Sequence, residues 1–173
     1  RGEATEMAEL RVGVVGLGAI GRKVADLFAA LGSAVAGFDP FVSVPEYSVP
    51  GLEEALRSAD AVSLHVPGTP DGRPLITADL LRLLRPGAVL VNTARASIVD
   101  EEAVLAALDS GSLGAYAVDA FASEPPEPTP LLRHPRVVAT PHIGGYTRES
   151  VRRATSYAVA NLLEALHASR KDR

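Results

Sequence analysis

The 173-residue chain, with 47% hydrophobic side chains, is long enough for one compact domain with its own core and short for two. A net charge of −4 with no basic patch argues against nucleic acid as the main partner, and no apolar run is long enough to span a membrane. The absence of cysteine excludes disulfides and thiolate metal sites; no metal is expected, no signal peptide is visible, and a cytoplasmic protein is expected. The sequence opens on Arg1 rather than on methionine, so either Met7 marks a start or this is a piece of something longer.

Arg11–Val15 reads as a buried strand, and Gly16-Leu17-Gly18-Ala19-Ile20-Gly21 turns the chain into an apolar-periodic helix over Ala19–Leu31. A second strand, Ala34–Phe38, ends in Asp39, 23 residues past the first glycine. Alternation continues with helix Leu52–Ser58, strand Ala61–His65, helix Thr77–Leu84, strand Ala88–Asn92, helix Asp100–Ser110 and strand Gly114–Asp119. Thr77 and Asp100 stand as N-caps, and Glu101 and Glu102 suit the positive end of their helix. Gly87, reinforced by Pro86, and Gly111 stop the helices before them. Glu124–Pro130, EPPEPTP, reads as a stiff extended loop, followed by strand Val137–Thr140. A long amphipathic helix near Thr147–Ala168, with Val151, Ala154, Ala158, Leu162 and Leu166 at helical spacing, reads as a packing helix. Short apolar strands separated by helices specify an α/β fold: a doubly wound parallel sheet of the Rossmann kind, layered α/β/α, filling 1–173 as a single domain.

The stretch from Arg11 to Asp39 is the dinucleotide fingerprint in its strand–turn–helix–strand context. Gly16 permits the tight turn, Gly18 lets the backbone reach a pyrophosphate, and Gly21 lets helix and strand pack closely. The helix start offers N–H groups and a positive dipole end to phosphates. A carboxylate at Asp39 accepts from the adenosine ribose hydroxyls and repels a 2′-phosphate, so NAD is expected over NADP. Every strand also delivers a glycine turn or a polar group to the edge where such sheets bind ligands. In chain order these are Gly16, Asp39, His65-Val66-Pro67, Asn92-Thr93-Ala94-Arg95, Asp119 and Thr140-Pro141-His142. Arg95 has the planar fork that suits a carboxylate, His142 can move a proton near neutrality, and Glu124 can hold the tautomer of His142. Each has a plainer reading as well: Arg95 as a strand cap or surface ion pair, His142 as a structural histidine, Glu124 as a solvated charge.

The segments GLGAIG (16–21), FDPF (38–41), LHVPGTPDGRPLI (64–76), LLRLLRPGAVLVNTARASIVDEEAV (80–104), AVDAFASEPP (117–126) and TPHIGGYT (140–147) carry a resemblance. In order and spacing they resemble the nucleotide-binding domain of the D-isomer-specific 2-hydroxyacid dehydrogenases, from about Glu6 to Ala168. The resemblance implies that Ala19 and Ile20 offer N–H groups to the pyrophosphate and that Asp39 binds the ribose. It implies that Val66 and Pro67 line the adenosine side while Thr93 and Ala94 flank the nicotinamide half. Asp119 would bond the carboxamide, Arg95 would hold the substrate carboxylate and carbonyl, and His142 would protonate the carbonyl oxygen with Glu124 as its partner. Gly144 and Gly145 would let the ring approach the backbone. A glutamate partner resembles the hydroxyacid branch more than the formate branch. Two positions depart from the family pattern: Ala96 stands where glycine is usual, and Gly68 where leucine is commoner.

Family members also carry a second domain that closes over the substrate, and its residues are missing from this sequence. The expected activity is hydride transfer between NAD(H) and a 2-hydroxy or 2-oxo acid, weak or absent in these residues alone. The expected partners are the small-molecule acid and either a homodimer mate or a missing substrate-domain half. Two alternatives stand beside this: a stand-alone NAD-binding regulatory module, and one half of a split dehydrogenase.

Overall fold

The computed structural model describes residues 4–57, 59–69 and 71–171. They fall into two compact units, one running to Pro141 and the other starting at His142. Six strands, β1 (Arg11–Val15), β2 (Ala34–Phe38), β3 (Ala61–Leu64), β4 (Ala88–Asn92), β5 (Leu113–Val118) and β6 (Val137–Ala139), organise the first unit. They form one parallel sheet in the order β2-β1-β3-β4-β5-β6. Helices α1 (Ala19–Ala30), α2 (Leu52–Leu56), α3 (Ala78–Leu81) and α4 (Glu101–Ser110) connect the first five strands. The winding reverses between β1 and β3, and that reversal is what opens a ligand crevice beyond the carboxyl ends of such strands.

The apolar runs become strands because both faces of the sheet are covered. Along β1, Val12 and Val14 pack with Leu17, Ala25 and Val44, whereas Val15 joins Leu56, Leu64, Leu90 and Leu108 in the larger cluster. The pleat sends alternate side chains to opposite faces, so one strand feeds two cores. Each fully buried leucine contributes about 2 kcal/mol.

Most expected elements are present, and the differences have local causes. Helix α2 ends at Leu56, with Arg57 extended behind it, and Ser58 lies outside the described residues. Helix α3 keeps only Ala78–Leu81 of the expected Thr77–Leu84. Leu83 and Leu84 donate instead to the carbonyls of Leu80 and Leu81, the tighter three-residue spacing that ends a helix ahead of Pro86. Thr77 occupies the N-cap position, but its hydroxyl makes no cap bond. Gly87 lies past this end with φ 83° and donates to Ser112, so it turns the chain into β4 rather than capping α3. Asp100 caps α4 as expected, accepting from the Ala103 N–H at 3.0 Å, and Gly111 closes that helix at φ 77°. Two single-turn 3-10 segments, Met7–Glu9 and Ala96–Ile98, are too short to carry a periodic signal in the sequence.

The second unit is dominated by α5 (Arg148–Lys171), 24 residues long. Thr147 Oγ1 accepts from the Ser150 N–H at 3.1 Å and Ser150 Oγ accepts from the Thr147 N–H at 3.0 Å, a reciprocal box that starts the helix. No helix among the described residues is long and apolar enough to cross a membrane.

Candidate functional site

The glycine turn leads from β1 into α1, and its glycines answer to different demands. Gly16 has φ 92°, and a Cβ there would meet the His65 carbonyl oxygen at 2.5 Å. A Cβ on Gly21 would lie 1.8 Å from the Gly16 carbonyl oxygen, so the helix can sit against the turn only without a side chain. Gly18 is the opposite case: among the described residues no atom comes within 4 Å of a Cβ built there. Packing therefore demands Gly16 and Gly21, whereas Gly18 opens the backbone to an approaching ligand. Ala19 and Ile20, exposed at the start of the 12-residue α1, place the first helical N–H groups beside that opening.

Asp39 follows β2 and ties this turn to the next loop. Its Oδ2 accepts from the Leu17 N–H at 2.9 Å, and its Oδ1 accepts from the N–H groups of Phe41 at 2.8 Å and Val42 at 3.1 Å. The carboxylate is thus held in place before any ribose arrives. At the end of β3, His65 donates its backbone N–H to Val15 at 2.7 Å, and its ring Nε2 lies 2.8 Å from Ser63 Oγ. Burial pushes the His65 pKa down, which favours the neutral ring. Its Cβ and carbonyl wall the glycine turn from below, with the Val66 side chain beside it. Pro67 is exposed next to it, and a Cβ on Gly68 would come within 3.2 Å of Ser97 Oγ.

β4 ends in a buried amide. Asn92, 0% exposed, donates from Nδ2 to the Arg95 carbonyl at 2.8 Å and accepts at Oδ1 from the Ala94 N–H at 3.1 Å. The Thr93-Ala94-Arg95 turn is therefore wrapped around one side chain. The Tyr116 hydroxyl lies 3.5 Å from Asn92 Nδ2, and burial raises its pKa to about 12. The Arg95 guanidinium is exposed, donates to the Ala94 carbonyl at 2.6 Å, and lines an open cavity of about 580 Å³ with Pro74, Ser97, Glu102 and Phe121. Beyond β5, Asp119 is buried, donates its N–H to the Asn92 carbonyl at 3.1 Å and accepts from Thr140 Oγ1 at 2.6 Å.

Glu124 is exposed in the loop after β5, where a cis peptide precedes Pro125. His142 opens the second unit with φ 53°, a left-handed conformation few non-glycine residues adopt and one that concentrates at functional positions. Gly144 and Gly145 follow it in the same unit, and Gly145 accepts from Ser150 Oγ. The first unit thus gathers Gly16, Gly18, Asp39, Val66, Thr93, Ala94, Arg95 and Asp119 at the carboxyl edge of one sheet. His142, Gly144 and Gly145 stand in the second.

The fingerprint turn, the open Gly18 and the pinned Asp39 fit a dinucleotide, and comparison with known proteins narrows the family. Residues 1–144 match the model of the D-isomer specific 2-hydroxyacid dehydrogenase NAD binding domain. The chain belongs to this family. As its NAD-binding domain, the chain is 41% identical over 155 residues to the D-3-phosphoglycerate dehydrogenase of Mycobacterium tuberculosis H37Rv, covering 87% of the chain and 29% of that relative. Glycerate dehydrogenase of Methylorubrum extorquens is 36% identical over 160 residues, 91% of the chain and 50% of the relative. D-lactate dehydrogenase of Aquifex aeolicus, solved with NAD and lactic acid, superposes with TM-score 0.86 at 29% identity, over 96% of the chain and 56% of that structure. The chain therefore spans 29% to 56% of these relatives.

Sequence reasoning named Asn92 and Thr140 only as polar groups at strand ends, without the support they give the Arg95 turn and Asp119, and it missed Ser63, which lies inside β3 against His65. Each acts through a partner the sequence does not identify.

Proposed function

We propose that this domain serves an NAD-dependent dehydrogenase that interconverts a 2-oxo acid and the D-2-hydroxy acid. The observation that carries the reading is the open Gly18 at the head of α1, next to a carboxylate already held by three backbone N–H groups. Ala19 and Ile20 bind the pyrophosphate with their N–H groups, and Asp39 accepts from the ribose. Thr93 and Ala94 flank the nicotinamide, Val66 and Pro67 the adenosine, and Asp119 accepts from the carboxamide and so orients the ring. Gly144 and Gly145 leave room for it. When bound, NAD(H) supplies or accepts the hydride.

Arg95 holds the substrate carboxylate with two parallel N–H donors and steadies the charge that grows on the carbonyl oxygen. His142 donates a proton to that oxygen during reduction and removes it during oxidation, with Glu124 fixing its tautomer. A substrate-binding half, supplied by the same chain or another, closes over Arg95 and excludes water, so these 173 residues alone turn over weakly. Pairing of two copies through this domain belongs to the same reading.

The test joins this domain to a relative's substrate-binding half and assays NADH-dependent reduction of glyoxylate, hydroxypyruvate, pyruvate and phosphohydroxypyruvate. His142→Ala should lower the rate by about 10²–10⁴-fold on the best of them. A change below about threefold would remove His142 from the role of proton donor.

A further inference from the structure

We propose that Thr140 is a positioning residue for the nicotinamide end of the cofactor site, acting through Asp119. The inference rests on the reading of Asp119 as the carboxamide acceptor. Strands β5 and β6 run parallel with Val118 opposite Ala139, so the next residue of each, Asp119 and Thr140, emerge side by side at the carboxyl edge. Thr140 donates its backbone N–H to the Val118 carbonyl at 3.0 Å, which carries the ladder one step past β6. Its hydroxyl then donates to Asp119 Oδ1 at 2.6 Å. Asp119 is 5% exposed and gives its own N–H to the Asn92 carbonyl at 3.1 Å. The backbone of Asp119 is tied to β4 and its side chain to β6.

The terminal torsion of an aspartate is broad, so an unrestrained carboxylate samples many orientations. A charge-assisted O–H···O⁻ bond selects one of them before the ligand arrives, and no ordering cost remains to be met on binding. An ionised carboxylate can only accept and the carboxamide N–H can only donate, so orientation is what the pair requires. Thr140 suits this task because its β-branched side chain is stiff at χ1, and Pro141 behind it keeps its backbone extended. The glycine turn at Gly18 and the ribose-binding carboxylate of Asp39 lie elsewhere on the sheet: β3 and β4 separate β1 from β5, and β2 is one strand further out. At about 4.8 Å per strand this places Asp119 roughly 14 Å from the glycine turn and about 19 Å from Asp39.

That separation makes the proposal testable by splitting the ligand. Wild type, Thr140→Val and Thr140→Ser are titrated with NADH, followed by nicotinamide fluorescence, and with ADP-ribose, followed by calorimetry. Thr140→Val should weaken NADH roughly tenfold and reduce the fluorescence change, while ADP-ribose stays within about twofold. Thr140→Ser, which keeps the hydroxyl, should recover NADH to within about threefold of wild type. ADP-ribose binding also reports a folded glycine turn; if the valine variant fails to fold, Thr140→Ala carries the same expectation. Unchanged NADH affinity in the valine or alanine variant overturns the proposal, and so does an equal loss of both ligands, which would make Thr140 merely structural. Wild type binding NADH no more tightly than ADP-ribose would refute the role of Asp119, and Thr140 would fall with it. Wild type binding neither ligand would overturn the cofactor reading itself.

Discussion

Replacing Asn92 with leucine should loosen the turn that carries Arg95; the side chain keeps its branched outline but is bulkier, so overpacking adds to the cost. Asn92 is 0% exposed and satisfies two backbone groups, the Arg95 carbonyl at 2.8 Å and the Ala94 N–H at 3.1 Å. The 3.5 Å contact with Tyr116 is too long to weigh much. Leucine leaves both backbone groups unpaired, at about 1–3 kcal/mol for each buried one. Ala94 is half-buried and Arg95 exposed, so water reaches part of the turn and the total settles at about 2–4 kcal/mol. Against a typical stability of about 5–15 kcal/mol, that is a large fraction. The chain has no tryptophan, so urea unfolding is best followed by circular dichroism. Asn92→Asp is the control: it keeps an acceptor for Ala94 but loses the donor to Arg95 and buries a charge, and should cost at least as much. A leucine variant within about 0.5 kcal/mol of wild type would refute the assignment of Asn92 as the core of this turn.

Gly18 and Gly21 should separate cleanly: Gly18→Ala leaves the unfolding midpoint unchanged but weakens NADH at least about tenfold, whereas Gly21→Ala, whose Cβ would lie 1.8 Å from a backbone oxygen, loses the fold. Thermal melts and NADH titration decide this, and a Gly18→Ala protein that binds NADH normally would contradict it. Asp39→Ala should narrow the preference for NADH over NADPH and also destabilise by about 1–3 kcal/mol, since three N–H groups lose their acceptor. A stability loss with no movement in the NADH/NADPH ratio would make Asp39 structural only. Tyr116 has its pKa raised from 10.0 to about 12, chiefly by burial, so its neutral form stabilises the fold fully below pH 10. That contribution is lost as pH rises from 10 towards 12, and Tyr116→Phe should flatten the alkaline stability profile across this window; parallel wild-type and variant profiles would refute it.

Much of this was written locally. A strand buried in the middle of the sheet reads as an unbroken apolar run, which is why β1 and β4 have the bounds the sequence predicts; β2, at the edge, keeps its bounds as well, between Ser33 and Asp39. Asp100 and Gly111 likewise declare the ends of α4, because a cap acts within one turn of its own position. Helix α3 was less legible: its leucines keep helical spacing up to Leu84, and only the backbone bonds reveal that the last of them belong to a tighter turn.

By itself, then, the sequence determined the element types, the glycine turn and the row of polar residues at the strand ends. All of these depend on neighbours a few positions apart. Tertiary structure decided which of those residues support one another. Leu17 and Asp39, or Asp119 and Thr140, stand 22 and 21 residues apart and meet only because the strand order sets their ends side by side. It also decided that Asp39 braces the turn beside which it is expected to bind, and that Gly21 and Gly18 are glycines for opposite reasons, one pressed against backbone and the other facing open space. Composition and spacing cannot distinguish a crowded glycine from an exposed one, because the difference lies in atoms that approach from elsewhere in the chain.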